Sequence, residues 1–310
     1  MENIKAETGS AQQTRPDVWS DWLLHRRHGD DPEYGRVVSS FVMQYAERVL
    51  DRAGISPGMT LVDVGSGDGL VAFRAIERAG PTLRVILTDI SAPLLRLAES
   101  VAVQRSFNDQ CTFIECSAER LEGIPEGVAD VVVTRASLAY VPDKTAALRE
   151  FYRILKPDGR ISLAEPILQD DAFYTRALRK RVAEQSLPGD RFLPLLHRWK
   201  AAQFPDTAEK CAASAIANFS ERDLLNFAGN AGFVQIHLQL HIDVMPSLSS
   251  SWDVFLDTSP HPLAPSLRRI MADQFSPEEC SVFEQAYRPT VESGKTISID
   301  RVAYLQATKV

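Results

Sequence analysis

Three glycines at every second position, Gly65, Gly67 and Gly69, follow an apolar β-branched run in LVDVGSGDGLVAFRAIERAG (61–80) and lead straight into a helical pattern. A strand that ends in glycines and restarts as a helix offers unpaired backbone N–H groups at the positive end of a helix dipole. That is a cradle for part of a nucleotide or for a carboxylate. Acids flank it: Asp63 lies two residues before the first glycine, Asp68 lies inside the loop, and Asp89 closes the next apolar run. A carboxylate at the end of the second strand is placed to receive the two hydroxyls of a ribose.

The spacing discriminates between nucleotides. A dinucleotide fingerprint runs Gly-x-Gly-x-x-Gly around a pyrophosphate, whereas these glycines alternate and the carboxylates of Asp63 and Asp68 would repel a pyrophosphate. No Lys-Ser or Lys-Thr follows, which excludes a Walker A loop. The acids suit a ligand with a cationic amino group and a sulfonium, such as S-adenosylmethionine (SAM).

Such residues need a scaffold, and the order of apolar runs supplies one. MTLVDV, LRVILTDI, CTFIEC, VADVVVTR and RISLAEPI read as strands, with helices over LVAFRAIERAG, APLLRLAESVAV and KTAALREFYRIL and a stop at KPDG. This alternation predicts a parallel sheet covered on both faces. Residues 167–218, with Pro188, Pro194 and Pro205, and residues 242–293 read as irregular insertions. Between them a helix and an alternating strand reach 241, and TISIDRVAYLQATK supplies a last strand. With only a short helix and loops expected before it, this last strand is read as antiparallel to the strand over 233–241. At the other end, VWSDWLLHRRHGD predicts an amphipathic helix. Trp19, Trp22 and Leu23 should face the core, and His25, Arg26 and Tyr34 should face the mouth of the site as a lid.

Composition bounds the partners. The chain has 310 residues, 45% of them hydrophobic, and a net charge of -7, which fits a globular protein with a substantial core and disfavours nucleic acid. The N-terminus has no signal-like apolar segment and no run is long enough for a membrane span, so the expectation is a cytoplasmic protein without a membrane partner. Cys111, Cys116, Cys211 and Cys280 show neither disulfide nor metal-ligand spacing, and no metal is expected.

The ordered set LVDVGSGDG, LTDIS and CSAERLEGIPEGVADVVVTRASLAYVPDKTAALREFYRILKPDGRISLAEPI, with the closing strand, resembles the class I SAM-dependent methyltransferases. The likeness is to the branch of small-molecule and ubiquinone-pathway enzymes. It covers residues 55–166 most fully, and 219–241 with 296–308 more weakly. It implies an α/β fold: a doubly wound, seven-stranded Rossmann-like sheet, six strands parallel and the last antiparallel. Its implied parts are a helical lid (1–54), a SAM-binding core (55–166), a core helix and strand (219–241), a last core strand (294–310), and insertions 167–218 and 242–293 that cover the substrate.

The resemblance also implies roles. The backbone of Gly65, Ser66, Gly67, Asp68 and Gly69 would lie against the methionine part, with Asp63 near its amino group. Asp89 would take the ribose and Ile90 the adenine face. Ser117, Ala118 and Glu119 would meet the adenine edge, and Thr134 and Arg135 would border the methionine and methyl. Arg135, where a small polar residue is frequent, could bind the SAM carboxylate or a substrate anion. The implied reaction moves the methyl to an O, N or C nucleophile of a small organic acceptor and leaves S-adenosylhomocysteine. Tyr140, Glu165 and His25 are the candidates for a catalytic role, with the other histidines (28, 197, 237, 241 and 261) weaker, and a homodimer is admitted. Rival readings are a SAM-binding cyclase without methyl transfer, an arsenite methyltransferase, disfavoured by Ala136 where that family has cysteine, and a nicotinamide oxidoreductase, disfavoured by the loop.

Overall fold

The structure, a computed structural model, describes residues 16–184, 190–248 and 251–310; the expectations for residues 1–15 and around Pro188 fall outside these. The chain opens with α1 (Val18–Asp21), a π-helical turn over Trp22–Arg26 and the long α2 (Pro32–Ala53). It then alternates through β1 (Thr60–Val64), α3 (Leu70–Ala79), β2 (Arg84–Asp89), α4 (Ala92–Gln104), β3 (Cys111–Glu115), β4 (Ala129–Arg135), α5 (Lys144–Ile154) and β5 (Leu155–Pro166). Four helices follow: α6 (Gln169–Glu184), α7 (Phe192–Gln203), α8 (Ala208–Ala213) and α9 (Glu221–Asn230). The chain closes with β6 (Val234–Pro246), α10 (Trp252–Asp257), α11 (Leu267–Gln274), α12 (Pro277–Glu292) and β7 (Ile297–Thr308).

The seven strands form one sheet in the order β3-β2-β1-β4-β5-β7-β6. β1 to β5 pair in parallel, and β7 runs antiparallel to both of its neighbours. The central strands have no polar face because helices cover both sides. Leu61, Val131 and Val133 pack with Val49 and Leu50 of α2 and Val71 and Ile76 of α3, while Val62 and Val132 pack with Leu148 and Phe151 of α5 and Leu224 of α9. Each such side chain contributes about 1.5–3 kcal/mol on burial. Asp31, Ser91 and Asp143 start α2, α4 and α5 by accepting the backbone N–H groups of Tyr34, Leu94 and Ala146.

The regions read as irregular are largely helical. Leu195 and Trp199 of α7 pack with Trp252, Leu267, Ile270 and Phe283 of α10–α12, so the two insertions share a second apolar core. Three helices, not one, precede β7; they pack on α7 instead of crossing the sheet, which leaves β7 antiparallel as expected. The boundary at 241 needs correction, since β6 pairs with β7 as far as Pro246↔Ile297. The expected stop KPDG lies within β5, where Asp158 takes a positive φ of 61°. No helix among the described residues is long and apolar enough to cross a membrane.

Candidate active site

The carboxyl ends of β1, β2 and β4 open on a cavity of about 980 Å³, part of it open to solvent. Its floor is the glycine loop. Gly65 has φ 67°, and a Cβ there would lie 1.9 Å from Ser137 Oγ, so only glycine lets the loop after β1 pass this close to the loop after β4. Gly69 caps α3 in the left-handed region, and a Cβ there would strike the Phe73 ring at 2.4 Å. Asp89 fixes the loop from the side: its Oδ2 accepts from Gly67 N at 2.8 Å and its Oδ1 from Ser91 N at 2.8 Å. Burial pushes the Asp89 carboxyl up while these N–H groups pull it down.

Of the residues singled out in the sequence, Gly65, Ser66, Gly67, Asp68, Asp89, Ile90, Ser117, Ala118, Glu119, Arg135 and Tyr140 line this cavity. Others do not. Asp63 lies beneath the loop, fully buried, where its Oδ2 accepts from Ala72 N at 3.1 Å; burial pushes its carboxyl up to about 7. Gly69 stays at the helix start behind the wall. Thr134 is fully buried and its hydroxyl donates to Glu165 Oε1.

Glu165 and His25 need correction. Glu165 is fully buried, and its Oε2 accepts from Ala139 N at 3.0 Å, so it pins the loop that carries Ser137 and Tyr140 and does not reach the cavity itself. His25 is exposed and pairs with Asp30 at 2.6 Å, away from the cavity. Among the described residues the cavity wall contains no histidine. Tyr140 does line it, but burial raises its phenol, so it holds its proton.

The lid is present with its faces reversed. Trp19, Trp22 and Leu23 roof the cavity, and Trp19 meets Tyr140 edge to face at 5.4 Å. Arg26 points to the second insertion, donating to Ala264 O at 2.6 Å, Pro262 O at 3.0 Å and Ser259 Oγ at 3.1 Å. Tyr34 lies toward Asp300 of β7 instead of at the mouth. The stripe of Trp19, Trp22 and Leu23 stays together as its spacing requires; what differs is its packing, with Trp19 against the Tyr140 ring and Trp22 and Arg26 bonded to residues 259–264.

Sequence reasoning missed Pro262, which completes the roof, and the part played by Arg27. Burial first, and the nearby charge of Arg135 second, push the Arg27 guanidinium down to about 10, with Asp68 opposing. Arg27 Nε is buried without a hydrogen-bond partner, and so is Ser66 Oγ. Arg27 also lies over the Trp22 ring at 5.8 Å. Two neighbouring guanidiniums, with Asp68 the nearby carboxylate, form a strongly charged corner. Ala136, between Arg135 and Ser137, holds φ 51°, a strained conformation of the kind that collects at functional sites.

A parallel sheet with a glycine cradle after β1, an acid after β2 and an enclosed cavity over both defines an enzyme of the Rossmann-like nucleotide-cofactor class. The profile of a methyltransferase-domain family matches residues 55–229, and the chain belongs to the class I SAM-dependent methyltransferases. Nocamycin O-methyltransferase of Saccharothrix syringae is 37% identical over 127 residues, which are 41% of this chain and 45% of that protein. The ubiquinone/menaquinone biosynthesis C-methyltransferase of Hahella chejuensis is 31% identical over 116 residues, 37% of this chain and 46% of that one. The chain thus spans about half the length of these curated relatives. The YcgJ protein of Bacillus subtilis shares the fold with a TM-score of 0.54 at 17% identity, over 86% of this chain and 98% of that one.

Proposed function

We propose that the chain methylates a small, largely apolar organic acceptor that reacts as a phenolate or enolate. The observation that carries this is the composition of the cavity: a roof of Trp19, Trp22, Leu23 and Pro262, the guanidinium of Arg135 with Arg27 beside it, and no histidine on the described wall. A hydroxyl of high pKa would need a base, and the carboxylates on the wall, Asp68, Asp89 and Glu119, are assigned to the cofactor. An acceptor that ionises by itself needs only to be held and its charge balanced.

The orphaned Ser66 Oγ on the cavity wall and the buried, unpartnered Arg27 Nε near Arg135 fit SAM. When bound, SAM supplies a methyl group activated by a sulfonium leaving group, with S-adenosylhomocysteine as the product. Asp89 keeps lone pairs for the ribose hydroxyls after accepting two backbone N–H groups. Ile90 and Ala118 offer apolar contact to the adenine, and Ser117 and Glu119 meet its edge. Gly65–Asp68 carry the methionine part, Asp68 attracts its ammonium, and Arg27 and Arg135 balance carboxylate and acceptor charge.

Orientation in such a site supplies about 7–11 kcal/mol, against a factor of about 10²–10⁴ for a general base, so catalysis here rests on positioning. Glu165 and Thr134 are positioning residues, since they hold the loop that presents Ser137 and Tyr140. Pro262 of the second insertion, with the N-terminal turn, covers the acceptor away from water. The test is release of S-adenosylhomocysteine with a panel of phenols, enolic diketones and alkyl alcohols of matched size. The expected result is turnover with phenols and enols that rises with pH to a plateau set by the acceptor's own pKa. Equal turnover with the alcohols would refute the proposal.

A further inference from the structure

Strand β6 ends the sheet, and its free edge is unusually bare. Among the described residues it packs against β7 on one side and α9 on one face, and on the other face Arg48 and Arg52 of α2 reach the His241 and Gln239 side chains. Natural edge strands are blunted by lysine, proline, bulges or short length. β6 has thirteen residues; its irregularity lies at its start, between Val234 and His237, and its proline is its last residue, Pro246. From His237 to Met245 nothing interrupts it.

The edge also carries an uncovered apolar face. Ile236 and Leu238 pack under α9 as part of the main core. The same face continues past α9 with Leu240, Ile242 and Val244, and across the ladder Val244 pairs with Ile299 and Pro246 with Ile297. Ile242 is 54% exposed, Val244 62% and Ile297 66%. On α9, exposed Leu225 and Gly229 stand one turn apart beside this strand, and a Cβ at Gly229 would lie 3.9 Å from Ile236.

We propose that β6 pairs antiparallel with β6 of a second copy of this chain, about a two-fold axis through Leu240, to join the two sheets edge to edge. The sequence of the strand is its own complement in that register. Leu240 faces Leu240 of the second copy, Leu238 faces Ile242, Ile236 faces Val244, Gln239 faces His241, and the His237 imidazole faces the Asp243 carboxylate. Aliphatic cross-strand pairs favour antiparallel pairing, and the His237 imidazole can hydrogen-bond the Asp243 carboxylate. Moving the axis to residue 239 sets His237 against His241, and moving it to 241 sets Asp243 against Gln239 and leaves His237 against Met245, so the centre at 240 is preferred. A contact that uses the same patch on both partners closes as a dimer and leaves no β6 edge for a third copy. Each Val244 comes to rest beside Ile236 and the Leu225–Gly229 face of α9 in the second copy, which covers the apolar strip.

The test uses the full-length chain in light scattering across a dilution series, with single cysteines at the edge. Wild type is expected to dimerise. Leu240→Cys should cross-link to a covalent dimer on oxidation, because directly opposed residues of an antiparallel pair lie about 4.5–5.5 Å apart between Cα atoms. Val244→Cys should not cross-link, since its own copy sits eight residues away along the strand, about 27 Å. Ile242→Lys, placed on an exposed position that the fold does not need, should raise the dimer dissociation constant by more than about a hundredfold with an unchanged thermal melt. A chain that is monomeric throughout the dilution series overturns the proposal. So does a dimer that survives Ile242→Lys, or one that Val244→Cys locks and Leu240→Cys does not.

Discussion

The floor of the cavity and its roof are held by different forces. Beneath the glycine loop, Val62, Val131 and Val132 are fully buried between two helical layers, and apolar packing of this kind is non-directional and cooperative. The roof is held together by directional bonds that tie its N-terminal turn to the 259–264 loop: Arg26 to Ser259, Pro262 and Ala264, Trp22 Nε1 to Ser259 O at 3.0 Å, and Ser259 N to Arg26 O at 2.9 Å. A floor made by packing keeps its shape with the site empty or full. A roof fastened by a handful of hydrogen bonds can part from it at a fraction of the cost of global unfolding, which is what entry of a cofactor and an acceptor requires.

The sharpest way to break the floor is at Gly65. Gly65→Val places a side chain where Ser137 already sits and forces a branched residue to positive φ, so binding of S-adenosylhomocysteine should fall more than about a hundredfold, with a lower melting temperature. Calorimetry and a thermal melt on the same sample check both. Asp89→Ala leaves the loop backbone but removes its anchor and the carboxylate proposed to meet the ribose. At about 1.5–3 kcal/mol for hydrogen bonds to a charged group, the affinity should drop about 10- to 150-fold. An unchanged dissociation constant would separate Asp89 from the cofactor.

On the roof the expected pattern is the opposite one. Arg26→Ala should weaken cofactor affinity about tenfold while the melting temperature falls by no more than about 2–4 °C, because the roof is released and the core is not. Arg26→Lys should not restore it, since one ammonium cannot span the carbonyls that the guanidinium fork reaches. A large loss of melting temperature in either variant would make the roof part of the core.

How much of this was legible in the sequence follows the same division. The floor was, because Gly65, Gly67, Gly69 and Asp89 announce themselves by local spacing, and so was the order of strands, because each strand of the central sheet is a continuous apolar run. The roof was only half legible. The aromatic stripe of Trp19 and Trp22 was visible, but its direction depends on contacts with Tyr140 and with residues 259–264, which no local residue pattern marks. Pro262 reaches the cavity through Arg26, across more than two hundred residues of chain, and has no local signature. Glu165 stood at a strand end and looked catalytic; only its bonds to Thr134 and Ala139 show that it serves the loop.

A different kind of effect, on the pH dependence of stability, concerns Asp63, under the floor. Its carboxyl, pushed up to about 7 by burial from an ordinary 3.8, stays protonated in the folded chain where the unfolded chain has already released its proton. The folded state then holds more protons between about pH 4 and 7, and stability falls as pH rises through that window. Asp63→Asn keeps an acceptor for Ala72 N and should remove this slope, so the difference in melting temperature between variant and wild type should grow in the variant's favour from pH 4 to 7. A constant difference would mean that the buried carboxyl is not the source.

The most direct test of the central claim is calorimetric titration of the wild-type chain with S-adenosylhomocysteine and, separately, with NAD. A single site of micromolar order for S-adenosylhomocysteine, with no heat from NAD, is the result that the alternating glycine loop and its acids predict. Saturable binding of NAD with none of S-adenosylhomocysteine would contradict it.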